Sequence, residues 1–379
     1  FFQAEDGIRD AQESRGLGRP TGRHERPWTT LTGLDWRARP SRSTVACSRP
    51  MTKSRVPRHP VFVVGMPRSG TTLLSSLLDA HPDLVIAPET HYFTRCWPGG
   101  TIDRWADIGQ MLTRLDQQPG VHDMALSDEE WAAIRGRLRA LKAPTHGDIL
   151  RVLIETYTAR SEAPAWGEKT PDHLRNVPEM ARQFPNAVFL AIIRDPRDVV
   201  LSLRNLPWSR RTTPGQAWTW RTYAALVDRY RAHYTDRFFA LRYEDLIVHP
   251  EACLRDVCAF LETPFHEAML QPRQQEDQHF DPDREPWKRK SASEIDASNR
   301  EKWRVQMSEA ERVIVDLIAG RWLSAYDYPR PGIRWRPALI GRILQRLGTA
   351  ALQRVRRTLR KIRSGRMFNS DAAPRWMEE

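Results

Sequence analysis

The chain has 379 residues, 40% hydrophobic and 28% charged, enough to bury the core of one large or two ordinary domains. Its formal charge of +12 is segregated: residues 331–366 carry eleven Arg/Lys and no Asp/Glu, residues 1–50 carry nine against six, and the span 51–330 is left neutral. A neutral body argues against a nucleic-acid-binding protein, and the lack of any apolar run near the roughly 20 residues of a membrane span argues against an integral one. Cys47, Cys96, Cys253 and Cys258 show no metal-ligand spacing and no signal peptide is visible, so the cysteines read as reduced thiols of a cytoplasmic protein.

Residues 1–55, rich in Arg, Gly, Pro and Ser and without sustained periodicity, are predicted to be a disordered or non-native extension. Phe1 to Asp10 (FFQAEDGIRD) resembles translated sequencing-adapter read-through, which would place the native start at Met51; a natural basic extension is the alternative, and residues 11–50 fit either. Val61 to Val64, apolar and mostly β-branched, then read as a buried strand that stops at Gly65. Met66-Pro67-Arg68-Ser69-Gly70 is a loop, and Thr71-Thr72 open a helix with Leu73, Leu74, Leu77 and Leu78 at helical spacing. Strand, glycine-bounded loop and helix start make an anion cradle: the glycines allow close backbone approach, and the helix start offers free N–H groups and a favourable dipole. The spacing Gly65-x-x-x-x-Gly70 is that of a P-loop, but Thr71 stands where the lysine should follow, and Arg68 is the loop's cation.

His81-Pro82 ends that helix and Leu84 to Ala87 form a second short strand. Pro88 to Phe93 follow at its carboxyl end, which puts Glu89 at the edge where open α/β sheets hold their ligands. Residues 95–160 are predicted to be mainly helical, with a capping box from Ser127 to Glu130, and to shape an acceptor pocket. Trp166 to Pro171 read as a tight polar stretch before a helix from about Leu174 to Phe184. Val188 to Ile193 is a continuous apolar run, hence a doubly buried parallel strand, leading into Arg194-Asp195-Pro196-Arg197-Asp198 and a helix bearing Val199, Val200 and Leu203. Phe238 to Arg242 is a further strand, followed by Tyr243 to Leu246 and a helix from about Glu251 to Leu261.

This alternation predicts an α/β fold, a P-loop-like three-layer domain over 56–330 with a central parallel sheet and helical insertions. Residues 271–295 have the composition of a mobile loop, with helices expected at about 296–306 and 308–322, the second capped by Ser308. In 331–366, Leu339, Ile343, Leu347, Ala351, Val355, Leu359 and Ile362 make an apolar stripe among arginines. A basic amphipathic helix of that kind suits peripheral contact with an anionic surface such as the inner membrane through 335–366, and 367–379 is a disordered tail.

The segment PRSGTT, Pro67 to Thr72, resembles the 5′-phosphosulfate loop of sulfotransferases that use 3′-phosphoadenosine 5′-phosphosulfate (PAPS). With Glu89 after a His-Pro-Asp stretch, Lys169 in GEKTP, and Arg194 and Ser202 eight residues apart, the span Pro60 to Tyr328 is similar to bacterial members related to protein-tyrosine sulfotransferases. The resemblance implies that Arg68, Ser69, Gly70, Thr71 and Thr72 hold the 5′-phosphate and the sulfuryl group, and that Arg194 and Ser202 bind the 3′-phosphate. It adds Tyr243, Ser291 and Lys302 as further contacts on that side, although the stretch between Ser291 and Lys302 is shorter than in the tyrosine-sulfating relatives. Glu89 corresponds to the general base, with His91 as its rival because cytosolic sulfotransferases use a histidine from another segment. Lys169 corresponds to a lysine that steadies charge on the leaving oxygen.

Taken one at a time, these residues have plainer readings. Arg68 would be a surface turn arginine, although its planar fork between two glycines suits an anion. Ser202 would bond its own helix backbone, Glu89 would be a salt-bridged surface carboxylate, Lys169 a solvated turn lysine, and Trp218, Trp220 and Trp303 core residues. Together they predict sulfuryl transfer from PAPS to a hydroxyl or amine on a peptide, glycan, lipid or small molecule, without metal or nucleic acid. The alternatives are a P-loop nucleotide kinase-like enzyme, which needs the missing lysine and a magnesium carboxylate, and a non-catalytic nucleotide-binding, membrane-associated protein.

Overall fold

A computed structural model describes residues 59–271 and 295–363, apart from 103, 205, 207, 208 and 210. The expectations for residues 1–55, for Ser291 and for 367–379 lie outside the described residues. Strands β1 (Val61–Gly65), β2 (Leu84–Ala87), β3 (Ala165–Lys169), β4 (Val188–Ile193) and β5 (Phe238–Arg242) form one parallel sheet in the order β2-β3-β1-β4-β5. This is the α/β class expected from the sequence. Because every pairing is parallel, all five carboxyl ends reach the same edge, with β1 between β3 and β4.

The helices in chain order begin with α1 (Thr71–Asp79), then the insertion α2 (Trp105–Asp116), α3 (Pro119–Asp123), α4 (Asp128–Arg139) and α5 (His146–Thr158). After these come α6 (Val177–Gln183), α7 (Pro196–Arg204), α8 (Thr213–His233), α9 (Tyr243–Val248) and α10 (Pro250–Phe260). The described residues close with α11 (Trp303–Gln306), α12 (Glu309–Ala319), α13 (Arg321–Ala325) and α14 (Pro337–Arg363). Side chains alternate across a strand, and the two resulting faces bury different helices. Val61, Val63, Leu190 and Ile192 pack with Leu73 and Leu77 of α1, Leu246 of α9 and Leu254 of α10. Phe62, Val64, Phe189 and Ala191 pack with the insertion helices through Ile108, Ile134 and Ile149, and with Trp220 of α8. Three layers result, helix on sheet on helix.

Three local expectations change. The polar stretch at Trp166 to Pro171 contains β3, a strand paired on both sides, whose register sets Gly167 against Val61 and Ile86. A Cβ at Gly167 would stand 2.5 Å from Ile86 Cδ1 and 2.6 Å from the Val61 carbonyl oxygen, so close strand packing replaces the apolar run that usually marks a central strand. Beyond it the chain makes a tight turn at Pro171–Asn176 before α6, where one longer helix was expected. Near the carboxyl end only Trp303–Gln306 of the expected 296–306 helix forms, and Gly320, at φ 56°, breaks the expected 308–322 helix into α12 and α13. Of the tryptophans expected in the core, Trp220 and Trp303 are buried, whereas Trp218 is exposed on α8.

Candidate active site

The Gly65–Gly70 loop joins the central strand to α1. Gly70 caps the helix at φ 101°, a left-handed conformation, and a Cβ there would lie 2.3 Å from the Tyr243 ring. At Gly65 a Cβ would meet the Ile192 carbonyl oxygen at 2.7 Å, so both glycines are required by close approach of neighbouring strand ends. Between them Arg68 sits at φ 76°, a conformation that costs a residue with a side chain on the order of 1 kcal/mol or more. Its Nε donates to Ser202 Oγ of α7 at 3.0 Å. The Ser69 hydroxyl is buried, at 1% exposure, and among the described residues its oxygen has no hydrogen-bond partner.

Arg194 follows β4 directly, on the same edge. Its guanidinium lies 4.3 Å above the Tyr243 ring, and its Nη2 donates to the Asn299 carbonyl oxygen at 2.8 Å. Nη1 reaches the Arg68 carbonyl oxygen at 3.4 Å, while Nε is buried without a partner among the described residues. Asn299 also donates from Nδ2 to the Tyr243 hydroxyl at 2.8 Å, and Trp220 Nε1 donates to the Arg194 carbonyl oxygen at 2.9 Å. One residue further, the backbone N–H of Asp195 donates to the carboxylate of Glu244 at 2.9 Å. Burial and the Asp195 carboxylate push Glu244 up to about 7.

The second cluster stands at the ends of β2 and β3. Lys169 Nζ donates to Glu89 Oε1 at 2.5 Å, and His91 Nε2 lies 3.3 Å from Glu89 Oε2. The two rival bases and the lysine thus form one group, with side-chain exposures of 18% for Glu89, 14% for His91 and 8% for Lys169. His91 takes a left-handed φ of 51°. The backbone of Glu89 is pressed by Gly120 of α3, where a Cβ would come within 2.4 Å of its carbonyl oxygen. Helix α3 of the insertion therefore packs directly on the backbone of Glu89.

Behind this group lies a fully buried carboxylate that the sequence reading passed over. Glu168 accepts hydrogen bonds from the Thr90 amide at 3.0 Å, the Thr90 hydroxyl at 2.9 Å, the Thr170 hydroxyl, and His173 Nδ1 at 3.1 Å. Burial opposes its charge, but His173 and these donors outweigh burial and hold the carboxyl below the ordinary value. Phe93's amide donates to His173 Nε2 at 3.2 Å, which leaves Nδ1 as the N–H facing Glu168. Thr170 in turn accepts from the His91 amide at 3.2 Å. Since Thr90 follows Glu89 and Glu168 precedes Lys169, this network fixes the spacing between the two strand ends that carry the acid and the amine.

Of the residues singled out from sequence, Arg68, Ser69, Gly70, Ser202, Arg194 and Tyr243 gather around the loop, and Glu89, His91 and Lys169 gather at the neighbouring strand ends. Thr71 and Thr72 begin α1, the first buried and the second half-buried. Lys302 is half-buried beside Trp303, whose backbone N–H donates to Asp198 Oδ1 at 3.0 Å. Within the protein, Ser202 bonds Arg68, and Arg194 bonds Asn299. Asn299 lies in an irregular segment with no motif around it, and only tertiary packing brings it to the site.

Residues 60–267 match the sequence profile described as the Sulfotransferase family. Protein-tyrosine sulfotransferase 1 of Homo sapiens is 30% identical over 254 residues, covering 64% of this chain and 59% of that protein. Its namesake from Danio rerio is 29% identical over 220 residues, 55% of each chain. The chain thus spans little more than half the length of these curated relatives. Among solved structures, the sulfotransferase domain of the Synechococcus PCC 7002 olefin synthase superposes with a TM-score of 0.53 at 24% identity, covering 74% of this chain and all of that one, a likeness of fold. With residues 60–267 of its 379 matched by the family profile, this chain belongs to the sulfotransferase family.

Proposed function

We propose that the chain transfers a sulfuryl group from PAPS to a hydroxyl or amine acceptor, with Glu89 as general base. The observation that carries this reading is the convergence on one sheet edge of an anion cradle containing Arg68, Ser202 and Arg194 with a carboxylate–lysine pair, Glu89 and Lys169. The residues fit the donor: the buried Ser69 hydroxyl and Arg194 Nε lack protein partners among the described residues, and phosphate or sulfate oxygens would satisfy them. Arg68, Ser69, Gly70, Thr71 and Thr72 would hold the 5′-phosphosulfate end. Arg194 and Ser202, with Tyr243 and Lys302 alongside, would hold the 3′-phosphate; Ser291, assigned to the same side, lies outside the described residues. When bound, PAPS supplies the sulfuryl group that the acceptor receives.

Glu89 takes the acceptor's proton onto its carboxylate, and Lys169, already paired to it, supplies positive charge for the oxygen that becomes anionic. His91, 3.3 Å from Glu89 Oε2, is the second candidate for that proton. The curated relatives carry the name protein-tyrosine sulfotransferase, which makes a tyrosyl hydroxyl the first acceptor to test, ahead of glycans, lipids and small alcohols or amines. Titration calorimetry tests donor recognition. Adenosine 3′,5′-bisphosphate, in the presence of EDTA, is expected to bind at least ~10-fold tighter than adenosine 5′-monophosphate, since a buried charge-assisted contact is worth about 1.5–3 kcal/mol. Binding of magnesium-ATP with no response to the bisphosphate would favour the kinase reading instead.

A further inference from the structure

Helix α14 presents two different faces. Its inner edge is anchored on α12: Leu339 and Ile343, 3% and 7% exposed, pack against Ala310, Val313 and Ile314. Two ion pairs flank that contact, Arg336 to Glu309 at 2.8 Å and Arg346 to Glu311 at 3.1 Å. The outer side carries Ile340, Leu344, Leu347, Leu352 and Val355, between 40% and 63% exposed, recurring every three to five residues along the helix. Five large apolar side chains in a row on one side of a helix are not the scattered surface hydrophobics of an ordinary domain. The helix also carries eight Arg/Lys and no Asp/Glu between residues 337 and 363.

We propose that this outer face docks on a lipid bilayer bearing anionic phospholipid, with the helix lying in the plane of the interface. Charge decides the occupant. A second copy of the chain would cover the leucines but set eight cations against eight. A nucleic acid would answer the cations but leave the leucines in water. An anionic bilayer answers both at once, because the apolar side chains enter the acyl boundary while the negative surface potential attracts the nearby cations. The helix would lie on the membrane and not cross it: no described helix is long and apolar enough to span one. The proposal stands apart from the sulfuryl-transfer reading, since neither Leu344 nor Leu352 belongs to the site.

Flotation of the full chain with vesicles tests it. The chain is expected to float with phosphatidylcholine vesicles containing phosphatidylglycerol and to stay behind with phosphatidylcholine alone. The double variant Leu344→Glu with Leu352→Glu is expected to lose at least ~10-fold in partitioning, since two leucines leave the acyl boundary and two negative charges face an anionic surface. Its melting temperature and its affinity for adenosine 3′,5′-bisphosphate should be unchanged. Equal flotation of wild type and variant would overturn the proposal, as would failure to float with anionic vesicles. So would a wild-type dimer, seen by sedimentation without lipid, that the double variant dissociates.

Discussion

Glu89→Gln is expected to lower turnover of PAPS by about 10²–10⁴-fold, the usual contribution of a positioned general base, while leaving the affinity for adenosine 3′,5′-bisphosphate within about twofold. The structure makes this substitution a clean probe. Glutamine keeps an oxygen for Lys169 Nζ, now 2.5 Å from Glu89 Oε1, and leaves unchanged the backbone contact with Gly120 that seats the residue. What it removes is the ability to accept a proton. A parallel His91→Gln variant separates the two candidates that the structure brings together: if His91 is the base, its variant falls by the larger factor and Glu89→Gln retains most activity. Rates measured with saturating donor, alongside calorimetric affinities, keep loss of chemistry apart from loss of binding.

Arg68→Gly is expected to weaken donor binding by about 10–150-fold, corresponding to about 1.5–3 kcal/mol for one charge-assisted contact. Glycine is the informative replacement because Arg68 sits at φ 76°. Removing the side chain relieves a backbone cost on the order of 1 kcal/mol, which offsets the lost bond to Ser202 Oγ. The melting temperature is therefore expected to stay within about 3 °C of wild type, so weaker binding cannot be charged to unfolding. A variant that binds adenosine 3′,5′-bisphosphate and PAPS as tightly as wild type would remove Arg68 from the donor site.

The strands that could be read from the sequence are those whose burial is hydrophobic. β1 and β4 carry the runs VFVVG and VFLAII, which stay apolar because both faces are buried, and the half-buried edge strand β5 still opens with Phe238-Phe239-Ala240-Leu241; their bounds follow from the residues that interrupt them, Gly65, Arg194 and Arg242. β3 could not be read that way, since a glycine packed against Val61 and a carboxylate satisfied by Thr90, Thr170 and His173 occupy its buried positions. A buried polar strand announces itself only through partners that are distant in sequence. α8 was passed over for a related reason: its inward positions, among them Gln216, Ala217, Tyr223 and Tyr230, alternate small, polar and aromatic residues in place of a leucine stripe.

The candidate site was legible where a charged or polar residue follows an apolar strand. Arg194 after β4 and Tyr243 after β5 are of that kind, because parallel strands deliver their carboxyl ends to one edge. What the sequence left open was pairing. Nothing in the spacing of Ser202 from Arg194 distinguishes a shared ligand from the observed bond to Arg68, and Asn299 enters only through the fold. The contact between Glu89, His91 and Lys169 likewise depends on β2 and β3 being neighbours, which required β3 to be recognised as a strand.

Sulfuryl transfer is tested most directly by incubating the full chain with sulfur-35-labelled PAPS and a panel of tyrosyl peptide, glycan, lipid, alcohol and amine acceptors, followed by mass spectrometry of the labelled product. The predicted result is label on an acceptor hydroxyl or amine with release of one adenosine 3′,5′-bisphosphate per transfer, lost in Glu89→Gln. Phosphate transfer from magnesium-ATP to the same panel, with PAPS left intact, would contradict it.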